Sequence, residues 1–301
     1  MTEEAIKRNS CSIFKYRDPA VPRIFYKYRT WSLTDPTGNR IPNEQHQRIL
    51  KRCEIYFASA LDLNDPSEGK NPLRYDLLTK AERLQILEKY VKKDFPRMRK
   101  HEVRNYARHI MSFRHWDDKN NMEKVRTFMS LRIGIFSASE KHDDNLLWTH
   151  YADSHKGFCV GYDAGVFDHY CRALVRNLPS DITPMLIACP MSYADKKPVL
   201  IPRRWEDKVI GSLLTKAEEY AYEKEVRIFD INGARRPMTL PPQAIKEVIL
   251  GCKISEQDES EITEMLRDKM PHVQIIKAQM RDDSFKLTFE EKKRNACEFS
   301  S

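Results

Sequence analysis

The amino-acid sequence predicts an α+β fold in which a mixed or mainly antiparallel sheet carries a helical insertion. Strand-like and helix-like segments do not alternate strictly along the 301 residues, which argues against a doubly wound parallel sheet. Hydrophobic residues make up 41% of the chain and charged residues 32%, a balance typical of a folded domain with a well-solvated surface. We therefore expect a single domain over residues 1–301, with the insertion at about residues 79–129.

Short runs of apolar, β-branched and aromatic residues predict the strands. The first run alternates aromatic with basic side chains, whereas residues 31–42 contain Pro, Gly, Asn and Asp and are typical of a loop. The predicted strands are residues 23–29, 54–59, 131–139, 157–163, 184–193, 225–229, 244–251, 273–278 and 285–289.

Apolar residues at helical spacing predict the helices. Asn43 and Ser255 are placed to cap two of them. Pro96 interrupts the insertion, so we expect two or three helices there. The predicted helical segments are residues 43–51, 79–129, 144–155, 205–222 and 255–269.

The net charge of +8 favours an anionic partner, either a nucleotide or a nucleic acid. Basic residues concentrate in residues 92–108, with further pairs at Arg203-Arg204 and Arg235-Arg236. A solvated helix face is the alternative explanation for such clusters.

Seven cysteines occur singly, without a CxxC pair, which argues against a disulfide framework and against a structural metal site. We expect reduced thiols and a cytoplasmic location. No segment approaches the roughly 18 uninterrupted apolar residues that a membrane span needs, so we expect no membrane partner.

The sequence contains no GxGxxG, Walker, HExxH or GxSxG motif, and it has only nine glycines. A glycine-rich phosphate cradle is therefore excluded. A phosphate site in this protein would have to use arginines, lysines and helix N-termini.

Residues 148–157 are the densest run of site-like side chains. On a helix, Trp148 and Tyr151 share a face, as do Tyr151 and His155, so the three are candidates for one wall of a cleft. The alternative is that the two aromatic residues belong to the core and His155 is a satisfied polar group. His150 would point elsewhere.

A second candidate is Glu223-Lys-Glu-Val-Arg. On a strand, alternate residues share a face, so Glu223, Glu225 and Arg227 would lie together. Neighbouring carboxylates without partners raise each other's pKa and suit acid–base chemistry. Paired with Arg227 or a lysine, they form an ion-pair ladder instead.

Two further segments carry polar side chains with binding potential. Residues 64–68 form a turn in which Asn64 and Asp65 are candidates to hold a cation or a ligand, although such turns often only close a loop. Tyr26 and Tyr28 would share one face of the first strand. Lys27 and Arg29 would share the other face, where they must meet an anion, a carboxylate or solvent.

These segments together resemble the bacterial domain-of-unknown-function family 2971. The resemblance is carried by Phe25-Tyr-Lys-Tyr-Arg, by the run from Tyr56 to Glu68, by the run from Trp148 to Asp163, by Tyr222-Glu-Lys-Glu-Val-Arg-Ile and by Val248-Ile-Leu-Gly. The order and approximate spacing match from residue 24 to about residue 251. The family name implies no activity.

The chain also resembles ADP-ribosyltransferases. Tyr26-Lys-Tyr-Arg is similar to their first-strand element, Phe136-Ser-Ala-Ser to the middle one, and Glu223-Lys-Glu-Val to the last. The resemblance implies NAD as substrate. A carboxylate would stabilise the positive charge that develops on the ribose when nicotinamide leaves.

On this resemblance, Glu225 would be the catalytic carboxylate and Glu223 would orient the acceptor. Lys27 or Arg29 would hold phosphate, and Tyr151 or Trp148 would form the wall of the site. The set of candidate site residues is Tyr26, Lys27, Tyr28, Arg29, Asn64, Asp65, Ser137, Trp148, Tyr151, His155, Glu223, Glu225 and Arg227. Such an enzyme would act on nucleic acid or protein, as a toxin or a phage-defence effector.

Two other hypotheses remain open at this point. The first is a metal-dependent nuclease or nucleic-acid-binding defence protein, with Asp65, Glu68, Glu223 and Glu225 available to hold magnesium. The second is a non-catalytic sensor that binds a nucleotide in the same cleft and leaves it intact.

Overall fold

A computed structural model describes residues 22–65, 67–69, 74, 77–112, 127, 131–177, 186–199, 213–230 and 233–292. Arg203 and Arg204, and part of the predicted insertion and of the predicted helix 205–222, lie outside these residues. No helix among the described residues has the length and apolar character required to cross a membrane.

The described chain contains fourteen strands, most of which agree with the sequence prediction to within a few residues. They are β1 (Ile24–Arg29), β2 (Ser32–Thr34), β3 (Arg40–Pro42), β4 (Glu54–Ser59), β5 (Gly134–Ser139), β6 (Phe158–Asp163), β7 (Leu186–Pro190), β8 (Ser192–Ala194), β9 (Thr215–Ala217), β10 (Glu225–Asp230), β11 (Arg236–Thr239), β12 (Ile245–Leu250), β13 (Gln274–Met280) and β14 (Leu287–Glu291).

Six α-helices have both of their ends within the described residues. They are α1 (Glu44–Lys51), α2 (Lys80–Asp94), α3 (Lys100–Ser112), α4 (Asn145–Tyr151), α5 (Ala164–Asn177) and α6 (Glu256–Lys269). Asn43 caps α1 and Ser255 caps α6, as the sequence predicts, because each side-chain oxygen accepts a bond from a backbone N–H of the first turn. Helices and a mixed sheet thus occur together, and the prediction of an α+β fold is confirmed.

Ten strands form one mixed sheet, whose main path runs β11-β4-β5-β1-β6-β12-β13-β14, with β10 and β7 continuing from β5. All neighbouring pairs in this sheet are antiparallel except β12 and β13, which are parallel. The helices α2 and α3 lie in the chain between β4 and β5, at the position predicted for the insertion.

The sheet splits beside β5. One edge of this strand pairs with β10 along its whole length. The other edge pairs with β4 at Gly134 and Ile135 and with β1 at Ser139. Because β1 and β4 share that edge but contact only its two ends, the sheet opens alongside residues 136–138.

The two faces of the sheet bury separate apolar clusters. Phe25 of β1 belongs to a large core with side chains from α1, α5 and α6. Tyr26 and Tyr28 belong to a second cluster with Leu147 and Trp148 of α4. Helices therefore cover both faces of the sheet around β1, as the alternation of the strand predicts.

Three local predictions are wrong. The predicted helix 205–222 ends in strand β9 and a 3-10 helix, Glu218–Glu223, because residues 215–217 pair with β8. The predicted loop 31–42 contains the hairpin of β2 and β3. Glu223 is not on the strand with Glu225, because Lys224 adopts a left-handed conformation (φ 43°) that ends the 3-10 helix first.

Candidate functional site

A cavity of about 280 Å³ occupies the split in the sheet. This volume lies near the lower end of the range usual for small-molecule sites, ~300–1,000 Å³. Strands β1, β4, β5 and β10, helix α4 and the segment after β4 contribute to its wall. The lining residues are Tyr26, Lys27, Tyr28, Arg29, Tyr56, Ala58, Asp62, Leu63, Asn64, Glu68, Ile135, Ser137, Ala138, Ser139, Leu147, Tyr151, Lys216, Glu223, Glu225 and Arg227.

Ten of the thirteen candidate residues line this cavity. Trp148, His155 and Asp65 do not. The segments that supply the ten lie far apart in the sequence, and the split in the sheet brings them together.

The centre of one wall is a buried ion pair between Arg227 and Glu225. The guanidinium donates to both carboxylate oxygens of Glu225, over 2.7 and 3.1 Å, and also to the carbonyl of Leu213 and to the carboxylate of Glu68. Arg227 is 1% exposed and Glu225 6% exposed, so solvent screens this pair very little. The arrangement is rigid because the planar guanidinium fixes the carboxylate at two points.

Lys216 links three carboxylates in the same wall. Its ammonium lies 2.6 Å from Glu223, 3.6 Å from Glu225 and 3.7 Å from Glu68. The hydroxyl of Tyr151 donates to the other oxygen of Glu223 over 2.8 Å. Three carboxylates therefore share two cations, and this wall, the carboxylate wall, has a formal charge of −1.

The carboxylate of Glu225 stays ionised at all physiological pH values. Burial raises its pKa, but Arg227, Lys216 and the Ser137 hydroxyl outweigh burial and lower the pKa to about 2. Burial lowers the pKa of Lys216, yet the attraction of Glu225, Glu223 and Glu68 leaves that pKa above its usual value. The wall can therefore stabilise positive charge, and Glu225 cannot act as a general acid near neutral pH.

The opposite side of the cavity carries two cations without carboxylate partners. Lys27 donates to the backbone carbonyl of Ser137 and lies over the ring of Phe136, and Arg29 donates to the carbonyl of Tyr28 over 3.1 Å. Within the described part of the chain, no carboxylate oxygen lies within 4.0 Å of either side chain's nitrogens. Lys27 and Arg29, here called the cation pair, thus have unused capacity to bind an anion.

Burial lowers the pKa of both members of the cation pair. For Lys27, burial and the charges of Arg29 and Arg227 outweigh the attraction of Glu225 and Glu223 and bring the pKa well below its ordinary value. Burial lowers the pKa of Arg29 to about 10. The hydroxyl of Tyr162, which interacts electrostatically with Arg29, is buried and has no hydrogen-bond partner among the described residues. An anion bound beside Lys27 and Arg29 would offset the cost of burying both side chains.

Trp148 and His155 support the cavity from behind. Trp148 is fully buried, packs edge-on against Tyr28 at 5.1 Å and donates from its indole nitrogen to the carbonyl of His142. His155 stacks on the far side of Trp148, at 6.2 Å between ring centroids. Neither side chain lines the cavity, whereas Tyr151, the third member of the predicted wall, does. His150 is exposed.

Gly157 has a steric role at this position. A Cβ atom there would lie 2.1 Å from the backbone oxygen of Arg29. Only glycine therefore allows the start of β6 to approach the end of β1, the strand that carries the cation pair.

The four carboxylates proposed to hold magnesium bind other protein groups in the structure. Asp65 accepts bonds from Ser67 within its own turn and does not reach the cavity. The oxygens of Glu68, Glu223 and Glu225 bind Lys216, Arg227 and Tyr151. Among the described residues, no group of three or more His, Cys, Asp or Glu side chains is arranged to hold a metal ion.

Sequence reasoning missed Lys216, which organises the carboxylate wall. It placed this residue on a helix, where nothing distinguishes it from other lysines. Glu68 was considered only as a metal ligand, whereas it binds Arg227. Tyr193, which accepts a hydrogen bond from the backbone N–H of Glu225 over 2.7 Å, gave no recognisable signal.

Comparison with curated proteins and with solved structures gives no significant match to this chain. Residues 147–228 match the family described as "Protein of unknown function (DUF2971)". The matched residues include Tyr151, Lys216, Glu223, Glu225 and Arg227, and so most of the carboxylate wall. The resemblance to this family is confirmed over residues 147–228.

Proposed function

We propose that this protein cleaves NAD at its nicotinamide–ribose bond and transfers the ADP-ribosyl group to an acceptor. The observation that carries the proposal is the opposite charge of the two sides of one cavity. NAD has a cationic nicotinamide ring and an anionic pyrophosphate in one molecule. A cavity with a net negative wall at one side and an unpaired cation pair at the other is complementary to both.

The carboxylate wall suits the chemical step. When the bond between ribose C1′ and the nicotinamide nitrogen breaks, its electron pair leaves with neutral nicotinamide and positive charge develops on the ribose. Glu225 stabilises that charge because its carboxylate is ionised, preorganised and shielded from water. Glu223, held by Tyr151 and Lys216, orients the acceptor nucleophile, which adds to C1′ and releases its proton to solvent.

The cation pair suits substrate binding. Lys27 and Arg29 would bind the pyrophosphate, and the ionised phosphates would restore the ordinary pKa of both side chains. Tyr26 and Tyr28 supply aromatic surface beside them. A cavity of about 280 Å³ would enclose the nicotinamide riboside end and leave the adenosine outside.

A non-catalytic nucleotide sensor is the second candidate. It is favoured by the tight bond of Glu225 to Arg227, which offsets part of the negative charge that a developing cation would meet. A sensor would bind NAD through the cation pair and release no nicotinamide.

The proposal is tested by incubating the purified protein with NAD and measuring nicotinamide release by chromatography. We expect release, and we expect Glu225→Gln to reduce it by about 100-fold or more, the usual loss when one charge-stabilising group is removed. Calorimetric titration with NAD should show that this variant still binds, because Lys27 and Arg29 are intact.

Glu259→Gln is the matched control. Glu259 also pairs with two cations, Lys277 and Lys292, but it lies outside the cavity lining. This variant should keep full activity. NAD binding without nicotinamide release, in the presence of nucleic acid and of cell extract as acceptors, would favour the sensor. Absence of binding would contradict both functions.

A further inference from the structure

The helices α2 and α3 form a hairpin that carries most of the net charge of the protein. Residues 80–112 contain ten Lys and Arg against four Asp and Glu, which accounts for six of the eight net positive charges. The hairpin has its own small core of Leu87, Val91, Val103 and Ala107. The polar side chains of the hairpin lie outside this core.

The charge concentrates further at the turn between the two helices. Residues 92–100 contain five Lys or Arg and one Asp, and nearly all of their side chains are exposed. Lys92 closes this turn, because its ammonium donates to the carbonyls of Pro96 and Met98, each over 2.8 Å. The turn is thus an ordered structure in which one lysine holds the backbone and the others face solvent.

Four of these cations have no ion-pair partner. Among the residues that the structure describes, no carboxylate lies within 4.0 Å of the side-chain nitrogens of Lys93, Arg97, Arg99 or Lys100. Glu102, the nearest acidic residue in sequence, uses its carboxylate to cap α3 by accepting from the backbone N–H of Arg99 over 2.7 Å. The cations are therefore available to an external anion.

The same turn presents an aromatic pair. Phe95 and Tyr106 pack edge to face, 5.8 Å between centroids, although they are 45% and 40% exposed. An ordinary solvated helix face carries charged and polar side chains. This surface differs, because two large aromatic rings lie exposed beside four unpaired cations. Basic grooves interleaved with exposed rings bind single-stranded nucleic acid through its phosphates and its bases.

Within the described part of the chain, the basic pair Arg235-Arg236 does not offer this capacity. Arg235 pairs with Asp62 over 2.7 Å, and Arg236 binds Asp230. Their positive charges are thus largely offset by carboxylates.

We propose that the turn between α2 and α3, residues 92–100 together with Tyr106, is a docking surface for single-stranded nucleic acid. Phosphates bind Lys93, Arg97, Arg99 and Lys100, and bases stack on Phe95 and Tyr106. Duplex DNA is a poorer occupant, because its stacked bases present no faces to these rings. The inference stands on the hairpin alone. Only the further role of this nucleic acid as ADP-ribosyl acceptor rests on the proposed function.

The test is fluorescence anisotropy with a labelled 20-nucleotide single strand, without NAD, over a series of salt concentrations. We expect binding that weakens steeply with salt. A plot of log affinity against log salt concentration has a negative slope. In the variant Lys93→Ala/Arg97→Ala/Arg99→Ala this slope should become shallower by about 2, since each single-strand phosphate contact contributes ~0.7 to its magnitude. Tyr106→Ala should weaken binding by about tenfold and leave the slope unchanged.

The matched control removes the same charge elsewhere. Lys253→Ala/Arg267→Ala/Lys269→Ala changes three exposed cations outside the hairpin and should bind like the natural protein. Circular dichroism confirms that each variant is folded, and alanine favours helix at position 93.

Equal loss in the hairpin and control triples would overturn the inference, because it would show that net charge alone drives binding. Equal affinity for duplex, or tighter binding to anionic vesicles than to the single strand, would also overturn it. Because NAD is absent, failure here leaves nicotinamide release unaffected, and the two proposals are judged separately.

Discussion

Replacing Arg227 with methionine should unfold the carboxylate wall by leaving two buried carboxylates without their main partner. Methionine keeps the apolar stem but removes four hydrogen bonds, two to Glu225, one to Glu68 and one to the carbonyl of Leu213. Lys216 remains, at 3.6 Å from Glu225 and 3.7 Å from Glu68. Breaking a buried ion pair from one side costs about 3–5 kcal/mol of the free energy of unfolding.

The pKa of Glu225 gives a consistent magnitude. Its lowering from 4.5 to about 2 corresponds to about 3 kcal/mol of stabilisation. Since the folded pKa lies below the ordinary value, this stabilisation is fully present above pH 4.5 and is lost as the pH falls towards 2. In Arg227→Met the folded pKa rises, so the buried carboxylate can be protonated, and the deficit should be greatest at pH 7 and smaller at pH 4.5.

The assay is urea unfolding at pH 7 and at pH 4.5, followed by circular dichroism and tryptophan fluorescence, with coincident transitions as the check on two-state behaviour. Arg281→Met is the matched control, because Arg281 binds Asp283 through the same two-point geometry, at 2.7 Å for each bond, but both side chains are exposed. It should cost far less stability than Arg227→Met, because solvent screens an exposed ion pair. Adding Glu225→Gln to Arg227→Met should recover about 1–2 kcal/mol by removing one orphan charge.

Two outcomes would refute this reasoning. A loss below about 1 kcal/mol in Arg227→Met would show that the wall is hydrated and its charges screened. A double variant less stable than Arg227→Met would show that the orphan carboxylate carries no penalty.

Two further predictions concern the cation pair. Lys27→Met should leave the free energy of unfolding at pH 7 unchanged or raise it, because a buried ammonium without a carboxylate partner opposes folding. The same variant should weaken NAD binding at least ~10-fold, because it removes a phosphate contact. The gain should vanish as the pH rises to 10.5, and a clear loss of stability at pH 7 would contradict it. His46 should titrate at about 4 in NMR spectra, because burial, Arg29 and Lys27 all lower its pKa. NAD should raise that midpoint by offsetting both cations, and an unchanged midpoint in saturating NAD would argue against phosphate binding at this pair.

The sequence predicts those elements whose cause is local. The Asn43 and Ser255 caps are satisfied within one helical turn, and apolar runs such as β6 and β12 become strands wherever they pair. Helix α5 was missed although Ala164, Phe167 and Tyr170 repeat at helical spacing.

Other elements depend on distant partners. Strand β9 exists because residues 215–217 pair with β8, and its apolar neighbours Leu213 and Leu214 fit either a helix or a strand. Strand β11 has four residues, and its single partner among the described strands is β4. Local propensity cannot specify such segments, because their backbone hydrogen bonds end on strands far away in the sequence.

The cavity itself is a consequence of register. Each of β1, β4 and β5 is predictable, but the opening between them arises because Tyr26 pairs with Ser139 while Ala58 pairs with Ile135 on the same edge. The opening lets Lys27, which lies on the opposite face of the sheet from Glu225, reach the carbonyl of Ser137.

The match to DUF2971 therefore bears on one half of the cavity. The matched residues 147–228 supply Tyr151, Lys216, Glu223, Glu225 and Arg227, whereas the cation pair comes from β1, outside the match. The two halves have separate physical roles, since the wall meets positive charge and the pair meets negative charge. Substitutions of Lys27 or Arg29 in β1 should thus alter which anion the protein binds and leave the carboxylate wall assembled. Substitution of Arg227 should disrupt the carboxylate wall and leave the anion-binding side chains of β1 in place.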